Sequence, residues 1–219
     1  MIKGAIFDLD GTLLDSMVLW DTLGERYLLS IGQKPHEDLR ETFKTSSLKQ
    51  AADYLKKEYS LSFSVSEIMN GINSLAEHFY YHEASLKAGV KVFLAFLKDN
   101  GVKMCIATAT DKYLAEAALK RCGIDKYFSE IFTCTEIGHG KDEPIIFQEA
   151  LGHLGTEKNE TFVFEDALYA IKTAKKYGFK IAAVYDEYSK EQAEIKELAD
   201  IYIEDFAKIN DFKKFASNL

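Results

Sequence analysis

The chain has 219 residues, 47% of them hydrophobic, with 27 Lys and Arg against 35 Asp and Glu and a formal net charge of −8. That length suits one domain or one core carrying an inserted lobe, and that apolar share excludes an intrinsically disordered chain. The acidic balance excludes a nucleic-acid binder, which needs a basic face, but not an enzyme acting on a small phosphorylated metabolite, because one local cation and a metal ion can reverse the field inside a cleft.

Residues 1–7 read as a first apolar strand running straight into Asp8. From about residue 17 to residue 82 the pattern is helical, with little strand signal. Leu48, Ala51, Ala52 and Leu55 recur at i, i+3, i+4 and i+7, one face of a helix. Residues 60–66 form a serine-rich loop, with Ser66 and Glu67 opening the next helix. From residue 89 helices and short apolar strands alternate. Val90, Phe93, Leu94 and Leu97 make a helical stripe ending at Asn100-Gly101. Residues 102–107 are a buried strand. Asp111 is placed to cap a helix that reaches Cys122, with Gly123 beyond its end. Residues 131–133 are a strand, and Pro144 opens a helix. Residues 162–164 are a strand ending in Glu165-Asp166. A helix then runs to Tyr177 and stops at Gly178, and residues 181–184 and 201–203 are further strands. This alternation predicts a doubly wound parallel α/β sheet, with the helical segment inserted after the first strand and a hinge at each edge of the insertion.

The three cysteines, Cys105, Cys122 and Cys134, are odd in number and lack CxxC spacing. They are expected as small buried hydrophobes, not as a disulfide framework or a thiolate zinc site. No apolar run approaches a membrane span, and the stretch before Asp8 is too short for a signal peptide. A cytoplasmic protein is expected, with no membrane, nucleic-acid or protein partner.

Asp8 and Asp10, then Thr108, then Lys141, then Glu165 and Asp166 all fall at strand ends, where open parallel sheets place their ligands. Carboxylates gathered there repel one another, by about 4 kcal/mol for a pair 4 Å apart at an effective dielectric of 20. A hard divalent cation relieves this, and an oxygen-rich donor set suits Mg2+. Magnesium in turn suits a phosphate monoester. With Lys141 it would offset the repulsion between a carboxylate nucleophile and an anionic substrate. Asp8 is the candidate nucleophile. Asp10 is the candidate acid–base group, a role that needs it protonated when substrate binds. Thr108 can donate a hydrogen bond to the transferring phosphoryl group. Singly, these residues read as an acidic loop, a helix cap, a turn residue and a solvated lysine; their order and shared placement argue for one site.

The same residues resemble the haloacid dehalogenase superfamily. Phe7-Asp8-Leu9-Asp10-Gly11-Thr12-Leu13-Leu14-Asp15-Ser16 is similar to its first motif and Ile106-Ala107-Thr108 to its second. Gly140-Lys141 with Pro144 and Phe147 is similar to the third motif, and Val163-Phe164-Glu165-Asp166 to the fourth. The resemblance implies a Rossmann-like core at residues 1–15 and 86–219 and a helical cap at 16–85 that closes over the site. It implies a phosphoaspartate on Asp8, with magnesium held by the Asp8 carboxylate, the Asp10 main-chain carbonyl and Asp166. Glu165 would be an added ligand or would hold the ligands from behind. It implies that Thr108 and Lys141 would bind the phosphoryl group, with Leu9 and Ala109 as further substrate contacts. The subfamily resembled holds beta-phosphoglucomutases and sugar-phosphate phosphatases. The mutases have a cap histidine where this chain has Trp20, and an arginine near Ser47 and Lys49. A phosphatase of sugar or polyol phosphates is therefore expected, with a phosphosugar mutase or an idle phosphate-binding regulator as alternatives. Lys141-Asp142-Glu143-Pro144 departs from the usual Lys-Pro-x-Pro, and Ala167 stands where serine is usual.

Other features carry less. Gly138-His139-Gly140-Lys141 lacks the residues of a phosphate-binding P-loop. His78 and His82 have helical zinc-ligand spacing but no adjacent glutamate and no evident third ligand. Trp20 is kept as a substrate-facing candidate, and Lys44, Ser46, Ser47 and Lys49 as a polar stretch of the cap.

Overall fold

The computed structural model describes residues 2–37, 39, 48–208 and 212. Lys44, Ser46 and Ser47 lie outside the described residues. Contacts divide the chain into two compact units, Met1–Ser16 with Ala84–Leu219, and Met17–Glu83.

Strands β1 (Gly4–Phe7), β2 (Leu14–Asp15), β3 (Ser85–Leu86), β4 (Lys103–Thr108), β5 (Ile131–Thr133), β6 (Thr161–Glu165), β7 (Lys180–Val184) and β8 (Ile201–Ile203) all belong to the first unit. Six of them form a parallel sheet in the order β5-β4-β1-β6-β7-β8. β1 and β6 are buried along their whole lengths, which is why they read as unbroken apolar runs. β1 lies between β4 and β6, where the strand order reverses. In register, Phe7 sits beside Ile106 and Phe164, so Asp8, Thr108 and Glu165 emerge together at the carboxyl edge. β2 pairs antiparallel with β3, joining the places where the chain leaves for the helical segment and returns from it.

The second unit is helical. α1 (Met17–Ser30) buries Leu19, Leu23, Tyr27 and Leu28, and α2 (Leu48–Glu58) buries Ala51, Ala52 and Leu55 from the expected stripe. α3 (Val65–His78) starts one residue earlier than predicted. Its N-cap is Ser64, whose hydroxyl accepts from the Glu67 N–H at 3.2 Å, while the Glu67 carboxylate accepts from the Ser64 N–H at 2.7 Å. Ser64 has a glutamate at the third helical position and Ser66 does not, so the reciprocal box forms at Ser64.

In the first unit the helices are α4 (Val90–Asp99), α5 (Lys112–Cys122), α6 (Cys134–Ile137), α7 (Ile145–Leu154), α8 (Leu168–Lys176) and α9 (Gln192–Leu198). They cover both faces of the sheet. Phe7 stacks on Phe164 with centroids 4.2 Å apart, and Phe93 of α4 meets Phe164 edge-on at 5.6 Å. Toward the other face, Ile6, Cys105, Ala107 and Val163 pack with Phe147 and Ala150 of α7 and with Ile171 and Ala174 of α8. Each large buried side chain of this kind contributes about 1.5–3 kcal/mol. The fold is therefore the expected Rossmann-like doubly wound α/β sheet.

Two local expectations need correction. Asp111 stands at the N-cap of α5, but its side chain does not cap; its Oδ1 accepts from Thr135 Oγ1 at 2.7 Å. Cys134, expected buried with Cys105 and Cys122, is half-buried at the start of α6, a short helix that Thr133 caps by accepting from the Glu136 N–H at 3.1 Å. Among the described residues no helix is long and apolar enough to cross a membrane.

Candidate active site

Asp8 follows β1, and its N–H donates to the Phe164 carbonyl at 2.9 Å, which fixes the turn at the sheet edge. Gly11 lets the chain reverse direction here. Its φ of +78° suits glycine, and a Cβ there would collide with the Asp166 carboxylate. The chain thus folds back so that Thr12 Oγ1 donates to Asp166 Oδ1 at 2.8 Å.

Asp8, Glu165 and Asp166 are buried, and one carboxylate oxygen of each lies within 4.8 Å of the others. Lys141, only 3% exposed, reaches into this group from the loop before α7. Its ammonium donates to Asp8 Oδ1 and, at 2.7 Å, to Glu165 Oε1. Glu165 Oε2 accepts from the N–H groups of Asp166 at 2.8 Å and Ala167 at 2.9 Å, so both its oxygens are engaged.

Three carboxylates face this one ammonium. Burial, which outweighs the attraction of Lys141, together with the charges of Glu165 and Asp10, pushes the Asp8 carboxyl up to about 8. Burial and the charges of Glu165 and Asp8 also hold Asp166 well above the usual carboxylate range, against the Thr12 hydrogen bond. Burial alone would lower the Lys141 ammonium, but Asp8 and Glu165 more than offset this and hold it above its ordinary value. The site is short of positive charge and contains hard oxygen donors, the condition that a divalent cation satisfies.

Asp10 is held by hydroxyls. Ser16 Oγ donates to its Oδ1 at 2.6 Å and Thr110 Oγ1 to its Oδ2 at 2.5 Å. Thr108, the last residue of β4, is buried, and its Oγ1 accepts from the Thr110 N–H at 3.0 Å. Thr12, Ser16 and Thr110 were not singled out by sequence reasoning as site residues; they sit in or beside the quoted motifs, and that nearness was the available signal. Leu9 is fully buried, its carbonyl accepting from the N–H groups of Leu13 and Leu14 at 2.9 Å, and Ala109 is exposed. Of the irregular acids of the third motif, Glu143 pairs with His139 at 3.2 Å, and the main-chain carbonyl of Asp142 accepts from Thr173 Oγ1 at 3.2 Å. Trp20 lies in the helical unit, 43% exposed, its indole N–H donating to Tyr80 Oη at 3.2 Å. Lys49 is exposed near the start of α2. His78 pairs with Glu83 at 3.0 Å and lies against His82 on the exposed end of the helical unit.

Sheet, switch point and carboxylate cluster define a Rossmann-like α/β protein with a buried acidic cluster at the carboxyl edge of its sheet. A family model for haloacid dehalogenase-like hydrolases matches residues 5–184, and the chain belongs to that family. It is 25% identical over 179 residues to a phosphorylated carbohydrates phosphatase of Thermotoga maritima, covering 82% of this chain and 83% of the relative. It is also 25% identical over 206 residues to the pyrophosphatase PpaX of Oceanobacillus iheyensis, covering 84% and 83%. Among solved structures, CbbY from Rhodobacter sphaeroides in complex with phosphate superimposes with a TM-score of 0.75 at 21% identity, covering 95% of this chain and 96% of that one; this likeness shows the fold.

Proposed function

We propose that this chain is a magnesium-dependent phosphatase that hydrolyses a small phosphate monoester, a sugar or polyol phosphate, through a phosphoaspartate on Asp8. The observation that carries this is the buried Lys141 ammonium held between Asp8 and Glu165, with Asp166 alongside. The donor set fits magnesium. Asp8, Asp166 and the Asp10 main-chain carbonyl would hold the ion, with Glu165 tethering Lys141 beside it, and the bound ion would supply positive field at the transferring phosphoryl group.

The residues then divide the work. An Asp8 oxygen attacks phosphorus while the bond to the leaving oxygen breaks, and Asp10 gives that oxygen its proton. Water attacks the phosphoaspartate, Asp10 takes the water's proton, and the bond to Asp8 breaks to release inorganic phosphate. An ammonium has three donors. Asp8 and Glu165 take two from Lys141, and the third is available to a phosphoryl oxygen. Thr108 Oγ1 and the main-chain N–H groups of Leu9 and Ala109 are assigned to the other phosphoryl oxygens.

The Thermotoga relative, named for phosphorylated carbohydrates, supports a sugar or polyol phosphate. The Oceanobacillus relative favours a second reading, in which the leaving group is phosphate and the substrate pyrophosphate. A panel of hexose and hexitol phosphates and pyrophosphate, assayed with magnesium, separates the two. Asp8→Asn should abolish phosphate release while the protein stays folded; retained turnover would sink the mechanism. A hexose 1-phosphate supplied with its bisphosphate should yield phosphate, whereas isomer exchange would identify a mutase.

A further inference from the structure

We infer that Thr110 is a positioning residue for Asp10: it aims the acid–base carboxyl from just beyond the strand end that presents Thr108 to the phosphoryl group. The inference rests on the phosphatase mechanism proposed above. Thr110 lies just beyond the end of β4, is 6% exposed and is separated from Asp10 by 100 positions in sequence. Its side chain and main chain have different partners. The hydroxyl donates to Asp10 Oδ2 at 2.5 Å, and the N–H donates to Thr108 Oγ1 at 3.0 Å. A hydroxyl carries one proton and two lone pairs. With one lone pair of Thr108 taken by the Thr110 N–H, the Thr108 proton is left for another acceptor, the role a phosphoryl oxygen would fill. One residue therefore orients a phosphoryl donor through its backbone and the acid–base group through its side chain.

The chemistry of Asp10 explains why that partner is a hydroxyl. Asp10 is a carboxylic acid when it protonates the leaving oxygen and a carboxylate when it receives the proton of water. A neutral hydroxyl donates to Oδ2 of the acid and of the carboxylate alike, without the positive charge by which an ammonium would oppose the acid form, so the contact survives both steps and the acid's own proton stays directed at the leaving oxygen. Proton transfer requires the carboxyl oxygen within about 2.6–3.2 Å of its partner. Ser16 holds Oδ1 at 2.6 Å, so the two hydroxyls together fix the plane of the carboxyl group. Without the Thr110 hydroxyl, Oδ2 loses this hydrogen bond and the plane of the carboxyl group is held less tightly.

The test is Thr110→Val, which removes the hydroxyl and keeps the N–H that holds Thr108, with Thr110→Ser as the conservative control. Two substrates are compared: the hexose or hexitol phosphate turned over fastest in the panel, and 4-nitrophenyl phosphate. The sugar alkoxide needs Asp10's proton to leave; nitrophenolate leaves without it. Thr110→Val should lower kcat/KM for the sugar phosphate by about 10- to 100-fold. It should keep kcat/KM for 4-nitrophenyl phosphate, which reports transfer to Asp8, within about threefold. Its steady-state turnover of 4-nitrophenyl phosphate should fall behind a retained burst, because the second step still needs a base. Thr110→Ser should restore both substrates to near wild type. An equal loss on both substrates, or no loss on the sugar phosphate, overturns the role. Thr110→Ala replaces the valine variant if thermal melting shows the latter unfolded. Wild-type phosphate release that vanishes in Asp8→Asn separates this outcome from failure of the phosphatase mechanism itself.

Discussion

The raised Asp8 carboxyl has a measurable consequence for stability. In the metal-free protein Asp8 is pushed from 3.8 to about 8, because burial outweighs the attraction of Lys141. A group raised in the folded state contributes stability that is complete below its unfolded value and is lost as pH rises through its folded value. The window here runs from about pH 4 to about pH 8. Within it the folded protein holds one proton more than the unfolded chain at this position, so stability falls by about 1.4 kcal/mol per pH unit. Asp8→Asn is neutral, nearly isosteric and cannot titrate. Lys141 stays charged across the window, so its pairing shifts the two curves by a constant and leaves their slopes untouched. Urea unfolding in EDTA, followed by circular dichroism at pH 5, 6 and 7, should show the wild type losing about 3 kcal/mol more than Asp8→Asn between the extremes. Asp166 titrates in both proteins but is raised in part by the Asp8 charge, so the difference between the curves reads Asp8 together with its effect on Asp166. Parallel pH curves would refute the reasoning, since they would mean that Asp8 is already ionised at pH 5 and that Lys141 overrides burial.

Lys141→Met leaves Asp8 and Glu165 buried without their counter-ion and should cost about 3–5 kcal/mol in urea unfolding at pH 8, as well as phosphate release. Gly11→Ala should cost at least about 1 kcal/mol for the positive φ, and more for the collision with Asp166, read as a lowered thermal midpoint together with weakened stabilisation by magnesium.

Much of this fold is legible along the chain because buried parallel strands are written as unbroken apolar runs. β1, β4 and β6 carry such runs, β1 followed directly by Asp8, β4 ending on Thr108 and β6 on Glu165, the polar residues that the switch point gathers. Local signals mislead where tertiary partners compete for a side chain. Asp111 has the right type and place for a cap, yet Thr135, 24 residues away, takes its carboxylate. Ser64 and Ser66 are equivalent by type, and only the glutamate three positions after Ser64 decides between them. The long-range hydroxyl contacts were not legible either. Thr12 to Asp166 and Thr110 to Asp10 span 154 and 100 positions, and nothing local marks those threonines as different from turn residues. Lys141 taken alone has the sequence of a solvated loop lysine; its order and placement among the other candidates single it out, and the strand ends around it bury it.

Glu165 and Asp166 are adjacent and chemically alike, so side-chain type alone cannot divide their tasks. Their surroundings do. Glu165 spends one oxygen on Lys141 and the other on two backbone N–H groups; turning it onto a metal ion would forfeit those bonds. Each bond to an ionised group contributes about 1.5–3 kcal/mol. Asp166 has a single hydroxyl on Oδ1, and its Oδ2 lies against Gly11, where no side chain stands in the way. The expected division is that Asp166 holds the ion and Glu165 holds Lys141. A ligand at 100 times its Kd stabilises a folded protein by about 2.7 kcal/mol, so magnesium should raise the urea midpoint of the wild type clearly. Asp166→Asn should remove most of that rise. Glu165→Gln should keep most of it, while lowering stability without metal and raising the KM for substrate through a loosened Lys141. Equal loss of the magnesium effect in both variants would show that Glu165 is a ligand in its own right and that its bonds to Lys141 and the backbone yield when the ion binds.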